Sequence, residues 1–200
     1  HPDAVALGYV NTSAEVKAEL DYCCTSTNAV AVVNALRDRK EIIFVPDKYL
    51  ADFVARKTGR KMIIWDGFCP THIKILPEDV KREKKFHPFA KVMVHPECLP
   101  QVVNMADAVV STSQMAKFAK ESEATEFIVG TEIGLVYRLK KDNPKKEFYP
   151  ASERAVCPNM KRTTEEKIIS ALEEMREEVR VPEDIRVRAK KSIDRMLEIV

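Results

Sequence analysis

The sequence predicts an α/β fold made of two homologous three-layer αβα units with short parallel sheets. Three observations carry that expectation. Short apolar runs alternate with amphipathic stretches over most of the 200 residues. Continuous apolar strands separated by helices are the signature of a parallel sheet covered on both faces. The series of strands and turns in 1–88 starts again in 89–162, and Cys-Pro stands at matching places, in G-F-C-P-T-H (67–72) and A-V-C-P-N-M (155–160).

V-A-L-G-Y-V (5–10) reads as the first strand, and S-A-E-V-K-A-E-L (13–20) as a helix capped by Thr12 or Ser13. A short strand at 21–25 leads to a helix at 27–37. E-I-I-F-V-P (41–46) is a strand, and 47–58 is a helix that Gly59 can end. K-M-I-I-W (61–65) closes the set.

In the second unit, K-V-M-V-H-P-E-C (91–98) is a strand and its turn, and 106–115 aligns with 20–29 without a gap. Tyr9 then matches His95, Asn11 matches Glu97, and Ser26 matches Thr112. E-F-I-V-G-T-E (126–132) matches E-I-I-F-V-P-D (41–47), and K-K-E-F-Y-P (145–150) matches R-K-M-I-I-W (60–65). The expected division is 1–88, 89–162 and a tail of two helices at 163–200. The tail has no counterpart in the first unit, and its second helix starts at V-P-E-D.

Composition narrows the function. With 33 basic and 31 acidic residues the formal charge is +2, which gives no electrostatic reason to expect nucleic acid or an anionic membrane as partner. K-R-E-K-K (81–85) and 186–195 read as solvated helix faces. No apolar run reaches the ~20 residues of a membrane span, and no signal peptide is visible. The chain begins at His1, so an absent N-terminal segment is an open expectation. Five cysteines in a mixed α/β pattern point to a reducing, cytoplasmic setting with thiols free or metal-bound.

Ligands of open α/β sheets bind at the carboxyl ends of the strands. Three pairs of turns belong there: Y-V-N-T-S (9–13) with H-P-E-C (95–98), T-S-T (25–27) with S-T-S (111–113), and Cys69 with Cys157. Hydroxyls opening a helix suit either an anion site or plain capping. Tyr9, His95 and Glu97 offer proton transfer, and His95 and Glu97 point the same way from an extended segment. Cys23 and Cys24, adjacent in a strand, read as buried structural residues. Cys69 and Cys157 do not complete a zinc site or an iron–sulfur site by themselves. Three readings stay open on residues alone: a metal-cluster enzyme whose ligand set a third copy of the unit would complete, a non-catalytic module binding a small anion, or a zinc-stabilised scaffold.

Y-V-N-T-S, C-T-S-T-N-A-V, G-F-C-P-T-H, H-P-E-C, V-V-S-T-S-Q-M, G-T-E-I-G and A-V-C-P-N-M-K, in this order, resemble the quinolinate synthase family across essentially the whole chain. The resemblance implies three α/β domains about a pseudo-threefold axis, of which this chain matches the second and third plus the C-terminal helices. It implies a [4Fe–4S] cluster held by Cys69, Cys157 and a third Cys in a missing first domain, with one iron open as a Lewis acid. It implies condensation of iminoaspartate with dihydroxyacetone phosphate to quinolinate, phosphate and water, in NAD biosynthesis, with an aspartate-oxidising enzyme upstream. Tyr9, Glu97 and His95 become the expected catalytic residues. Tyr9, Val10, Asn11, Ser26, His72, His95, Pro96, Glu97 and Thr112 become the expected substrate contacts. Two departures stand out: Phe68 where the family has His, and Ser113 where it has Gly, a problem if that position needs positive φ.

Overall fold

The computed structural model describes residues 1–39 and 41–199. Lys40 and Val200, counted above into the first unit and the tail, lie outside the described residues. The first unit runs β1 (Val5–Tyr9), α1 (Ala14–Ala18), β2 (Tyr22–Cys24), α2 (Ala29–Ala35), β3 (Ile42–Val45), α3 (Lys48–Thr58) and β4 (Ile63–Ile64). A 3-10 turn (His72–Lys74) and α4 (Pro77–Phe86) follow. The second unit runs β5 (Lys91–Val94), α5 (Pro100–Val103), β6 (Ala108–Val109), α6 (Thr112–Glu121), β7 (Glu126–Gly130), α7 (Gly134–Asp142) and β8 (Glu147–Pro150). A second 3-10 turn (Met160–Arg162), α8 (Glu165–Glu174) and α9 (Glu183–Leu197) end the chain.

Each unit has one four-stranded parallel sheet, in the orders β2-β1-β3-β4 and β6-β5-β7-β8. Their registers coincide. Leu7 pairs with Tyr22 as Met93 pairs with Ala108, and Val5 pairs with Ile42 as Lys91 pairs with Phe127. Asp21 accepts a hydrogen bond from Ala6 N at 2.9 Å, and Asp107 accepts one from Val92 N at 2.8 Å. The central strands are packed on both faces, which is why they read as unbroken apolar runs. Leu7, Phe44 and Leu50 in the first unit and Phe127 and Phe148 in the second are fully buried, each worth about 2 kcal/mol of apolar transfer.

Local chemistry sets the element ends. Ser13 caps α1, and Gly59 ends α3 at φ 70°, the left-handed region a glycine adopts without strain. The helix expected at 27–37 starts later, at Ala29. Asn28 Oδ1 accepts from Thr25 N at 2.6 Å and lies 3.0 Å from Thr25 Oγ1, closing residues 25–28 into a turn. The fourth strands shift by one residue from the sequence match. Ile43 pairs with Ile63 while its counterpart Ile128 pairs with Tyr149, so Met62 corresponds to the core residue Phe148 and not to Glu147. Inward-facing alternation, not letter similarity, fixes that register.

The tail corrects a third expectation. The segment after Cys157 repeats the segment after Cys69 in order and length, with a 3-10 turn three residues on and then a ten-residue helix, α8 or α4. Letter matching misses this because α4 is highly charged while α8 carries Ile168, Ile169 and Leu172. α4 packs on the sheet of the following unit: Ile75 and Val80 share a core with Val92, Val94 and Ile128. α8 buries none of its residues, and Ile168, the counterpart of Val80, is 49% exposed. The last helix, α9, returns to the first unit. Its Ser192 is buried, donates to Ala189 O at 2.9 Å, and lies 3.3 Å from Cys23 Sγ, while Met196 enters the first core. None of the described helices is long and apolar enough to cross a membrane.

Candidate functional site

The carboxyl ends of β1 and β5 and the loops after β2, β4, β6, β7 and β8 surround one cavity of about 590 Å³. Tyr9, Asn11, Ser26, Cys69, His72, His95, Glu97, Thr112 and Cys157 line it. Both units contribute, so packing of one unit on the other gathers residues more than a hundred positions apart. Val10 and Pro96 are not among the lining residues. Val10 donates its N–H to Cys24 O at 2.9 Å and packs against the first core.

The two hydroxyl turns meet at the seam between the units, where Thr27 Oγ1 donates to Ser111 Oγ at 2.9 Å. Ser111 caps α6 by accepting from Gln114 N, and Gln114 returns a bond to Ser111 N at 2.9 Å. Thr112 is therefore the first helical residue, facing the cavity. Ser113 lies inside α6, and Met175 and Glu177 are the non-glycine residues with positive φ among those described. The serine in place of glycine is thus unstrained. Phe68 is half exposed, with Lys48 Nζ 5.2 Å from its ring centre.

At the cavity wall, His72 and His95 stack with ring centres 4.6 Å apart and planes 17° apart. Glu97 Oε2 lies 2.8 Å from His72 Nδ1 and 3.4 Å from His95 Nδ1. The His72 approach is close but off the hydrogen-bonding direction, which leaves that buried Nδ1 without an aligned partner. His72 Nε2 is 3.0 Å from Thr131 Oγ1. Glu97 N donates to His95 Nδ1 at 3.4 Å, which leaves His95 Nε2 to carry the proton toward Ser26 Oγ at 3.3 Å.

The electrostatics follow from burial and from these pairs. Burial opposes a charged His72, but Cys69 and Glu97 overcome it and push its pKa up to about 9. Burial and the neighbouring His72 push His95 down to about 4. Two stacked imidazoles do not readily both carry charge, and the carboxylate favours one. Burial raises Glu97, yet His72 and His95 hold it below its usual value. Burial and then the Glu97 charge push the Tyr9 phenol up, so it stays protonated. At neutral pH the wall presents a carboxylate, an imidazolium, a neutral imidazole and a phenol.

Residues the sequence reading did not single out also line the cavity: Thr71, Thr131, Glu132, Gly134, Leu135, Arg138 and Met160. Glu132 was legible as the repeat counterpart of Asp47, an acidic residue at the same point of each unit.

The donors fit a thiophilic metal group. Cys69 and Cys157 are partly buried on one cavity. The backbone N–H of Met160 outweighs the opposing burial and, with the Thr71 hydroxyl and the Asn159 N–H, holds the Cys157 thiol below its usual value. Thiolates with N–H donors aimed at sulfur suit iron–sulfur ligation. A tighter group exists as well: one ligand atom each of Cys69, His72 and Glu97 lie within 4.8 Å of one another. Cys157 stands outside that group.

Duplicated α/β units that each bring one thiol to a shared cavity define a two-lobed α/β protein with a candidate metal site. The chain belongs to the quinolinate synthetase A protein family, whose model matches residues 1–198. It is 52% identical over 200 residues to the quinolinate synthase of Dehalococcoides mccartyi strain CBDB1, covering 100% of this chain and 66% of that relative. It is 54% identical over 199 residues to quinolinate synthase 1 of Methanosarcina acetivorans, covering 100% of this chain and 65% of the relative. The quinolinate synthase of Thermodesulfovibrio yellowstonii is 53% identical over 201 residues, with coverages of 100% and 66%. The chain therefore spans about two thirds of the length of these curated relatives.

Proposed function

We propose that the chain forms two of three α/β units of a quinolinate synthase that condenses iminoaspartate with dihydroxyacetone phosphate. The products are quinolinate and phosphate, with two waters closing the balance of atoms. The carrying observation is the convergence of Cys69, Cys157 and the paired polar positions on one cavity. Support for a third unit comes from α8, which repeats α4 but has no sheet to pack on among the described residues. That unit, equivalent to the length present in the relatives, brings the third thiolate. The division 1–88, 89–162 and 163–200 is kept as the proposed set of units, with α4 packed on the second unit and α9 on the first.

Cys69 and Cys157 would hold a [4Fe–4S] cluster, which supplies an open iron as a Lewis acid for substrate oxygen. The chain's own groups do the rest. Asn11, Ser26 and Thr112 bind carboxylate or phosphate oxygens, with Thr112 at a helix N-terminus that favours anions. Glu97, ionised between two imidazoles, takes and returns protons, and Tyr9 donates one hydrogen bond to substrate or to Glu97. His95 holds Ser26 in place. Val10 and Pro96 contribute backbone position only. Iminoaspartate comes from an aspartate-oxidising enzyme, and the setting is cytoplasmic, in keeping with five unpaired cysteines.

The test is iron and sulfide content, with quinolinate formation, after anaerobic preparation of the chain completed with the remaining third of a relative. Stoichiometric iron and sulfide with turnover supports the reading; neither, under those conditions, removes it. A second reading is a single divalent cation on Cys69, His72 and Glu97, favoured by their close grouping. Zinc without sulfide would select it.

A further inference from the structure

Behind each cavity thiol stands a buried or nearly buried carboxylate from the loop that precedes the next helix. Asp47 Oδ2 accepts from Cys69 N at 2.8 Å, and its Oδ1 accepts from Tyr49 N at 3.0 Å and Leu50 N at 2.8 Å. Glu132 Oε1 accepts from Cys157 N at 3.4 Å, and its Oε2 accepts from Gly134 N at 2.8 Å. In both units the residue after the carboxylate completes the fastening. Lys48 N donates to Gly67 O at 2.8 Å, and Ile133 N donates to Ala155 O at 3.0 Å, each acceptor lying two residues before the cysteine. Beyond the cysteine the pattern continues, with Ile73 N on Cys69 O and Lys161 N on Cys157 O, both at 3.3 Å.

We infer that Asp47 and Glu132 are paired positioning residues, each clamping the backbone of one cysteine so that its sulfur faces the shared cavity. The same two-oxygen geometry, two residues onward on one side and the cysteine N–H on the other, occurs twice at equivalent places. Plain loop fastening explains one such contact. It does not explain why an Asp and a Glu, differing in length, both reach the cysteine N–H. A fixed thiol direction matters because a rigid metal group tolerates little error in its ligands. The inference rests on the proposed function for what the thiols hold, but not for the clamp itself.

The test is site-resolved alkylation of the metal-free chain by iodoacetamide under a phosphine reductant, read by peptide mass spectrometry. Asp47→Asn keeps an oxygen for Tyr49 and Leu50, since two N–H groups orient the amide, and turns an amide nitrogen toward Cys69 N–H. Expected is about a tenfold faster reaction at Cys69, the factor one lost charge-assisted hydrogen bond supports, with Cys157 unchanged. Glu132→Ala, which removes both oxygens, should produce the reverse pattern; glutamine does not serve, because Lys161 Nζ, 3.1 Å from Oε1, keeps an amide oxygen on the Cys157 side. Equal change at both thiols, or no change at either, overturns the inference. Labelling of the buried Cys23, Cys24 or Cys98 would report unfolding, and Asp47→Ser, a good helix cap too short to reach Cys69, then carries the same measurement. Iron content decides the cluster separately, so the two ideas fail independently.

Discussion

His72 and His95, from different units, stack at 4.6 Å and share one carboxylate, Glu97. The His72 ring also reaches the second unit through Thr131, whose Oγ1 lies 3.0 Å from its Nε2. The arrangement makes Glu97 the electrostatic centre of the cavity wall.

Glu97→Gln should therefore separate holding from turning over. The amide keeps shape and hydrogen bonding but not charge. We expect iron and sulfide content close to the parent and quinolinate formation lower by about 100-fold or more, the range for a lost general base. Steady-state rates beside metal analysis of the completed protein check it, and retained turnover would remove Glu97 from the chemistry.

The cysteines divide into two kinds. Cys69→Ala and Cys157→Ala should abolish retention of iron, because each thiol faces the cavity. Cys23→Ala should leave iron content intact and lower stability by about 1 kcal/mol, since its buried sulfur packs beside Ser192. Metal content and urea unfolding of the three variants distinguish these outcomes.

Equivalent helices should respond unequally to truncation at equivalent positions. Val80→Ala on α4 removes buried contact with the second sheet and should cost about 1–2 kcal/mol. Ile168→Ala on α8 should alter the isolated chain by less than about 0.5 kcal/mol. Denaturant midpoints measure both. If the remaining third of a relative docks on α8, the cost of Ile168→Ala should appear only in the completed protein.

Asp79 ties α4 to the second unit. Its carboxylate accepts from Leu76 N at 3.0 Å and pairs with Arg82 at 3.1 Å and Arg154 at 2.9 Å. Burial raises its pKa, but the Leu76 N–H and the two arginines together hold it below its usual value. A depressed folded pKa means the stabilisation is fully present above the unfolded value of 3.8 and fades as pH falls through the lower folded value. Asp79→Asn should cost about 1 kcal/mol at neutral pH, discounted because both arginines are exposed, and the difference from the parent should shrink toward pH 3. Unfolding curves at several pH values show whether it does.

The repetition, the succession of strands and helices along the chain and the Cys-Pro turns were legible because they are local: alternation of apolar residues, a Gly at a helix end and a cap hydroxyl act within a few positions. Tyr9 with His95, Asn11 with Glu97 and Cys69 with Cys157 followed from strand ends that parallel topology must bring to one side. The shifted fourth strand, α4 on its neighbour's sheet and α8 as its unmatched counterpart were not legible, since charge-rich and apolar helices look unrelated as letters. The clamps of Asp47 and Glu132 and the two-histidine stack needed the folded chain as well. The clamps join residues 22 and 25 positions apart within one unit, and the histidine stack joins the two units across a seam. Packing of surfaces, which no local pattern encodes, decides how that seam closes.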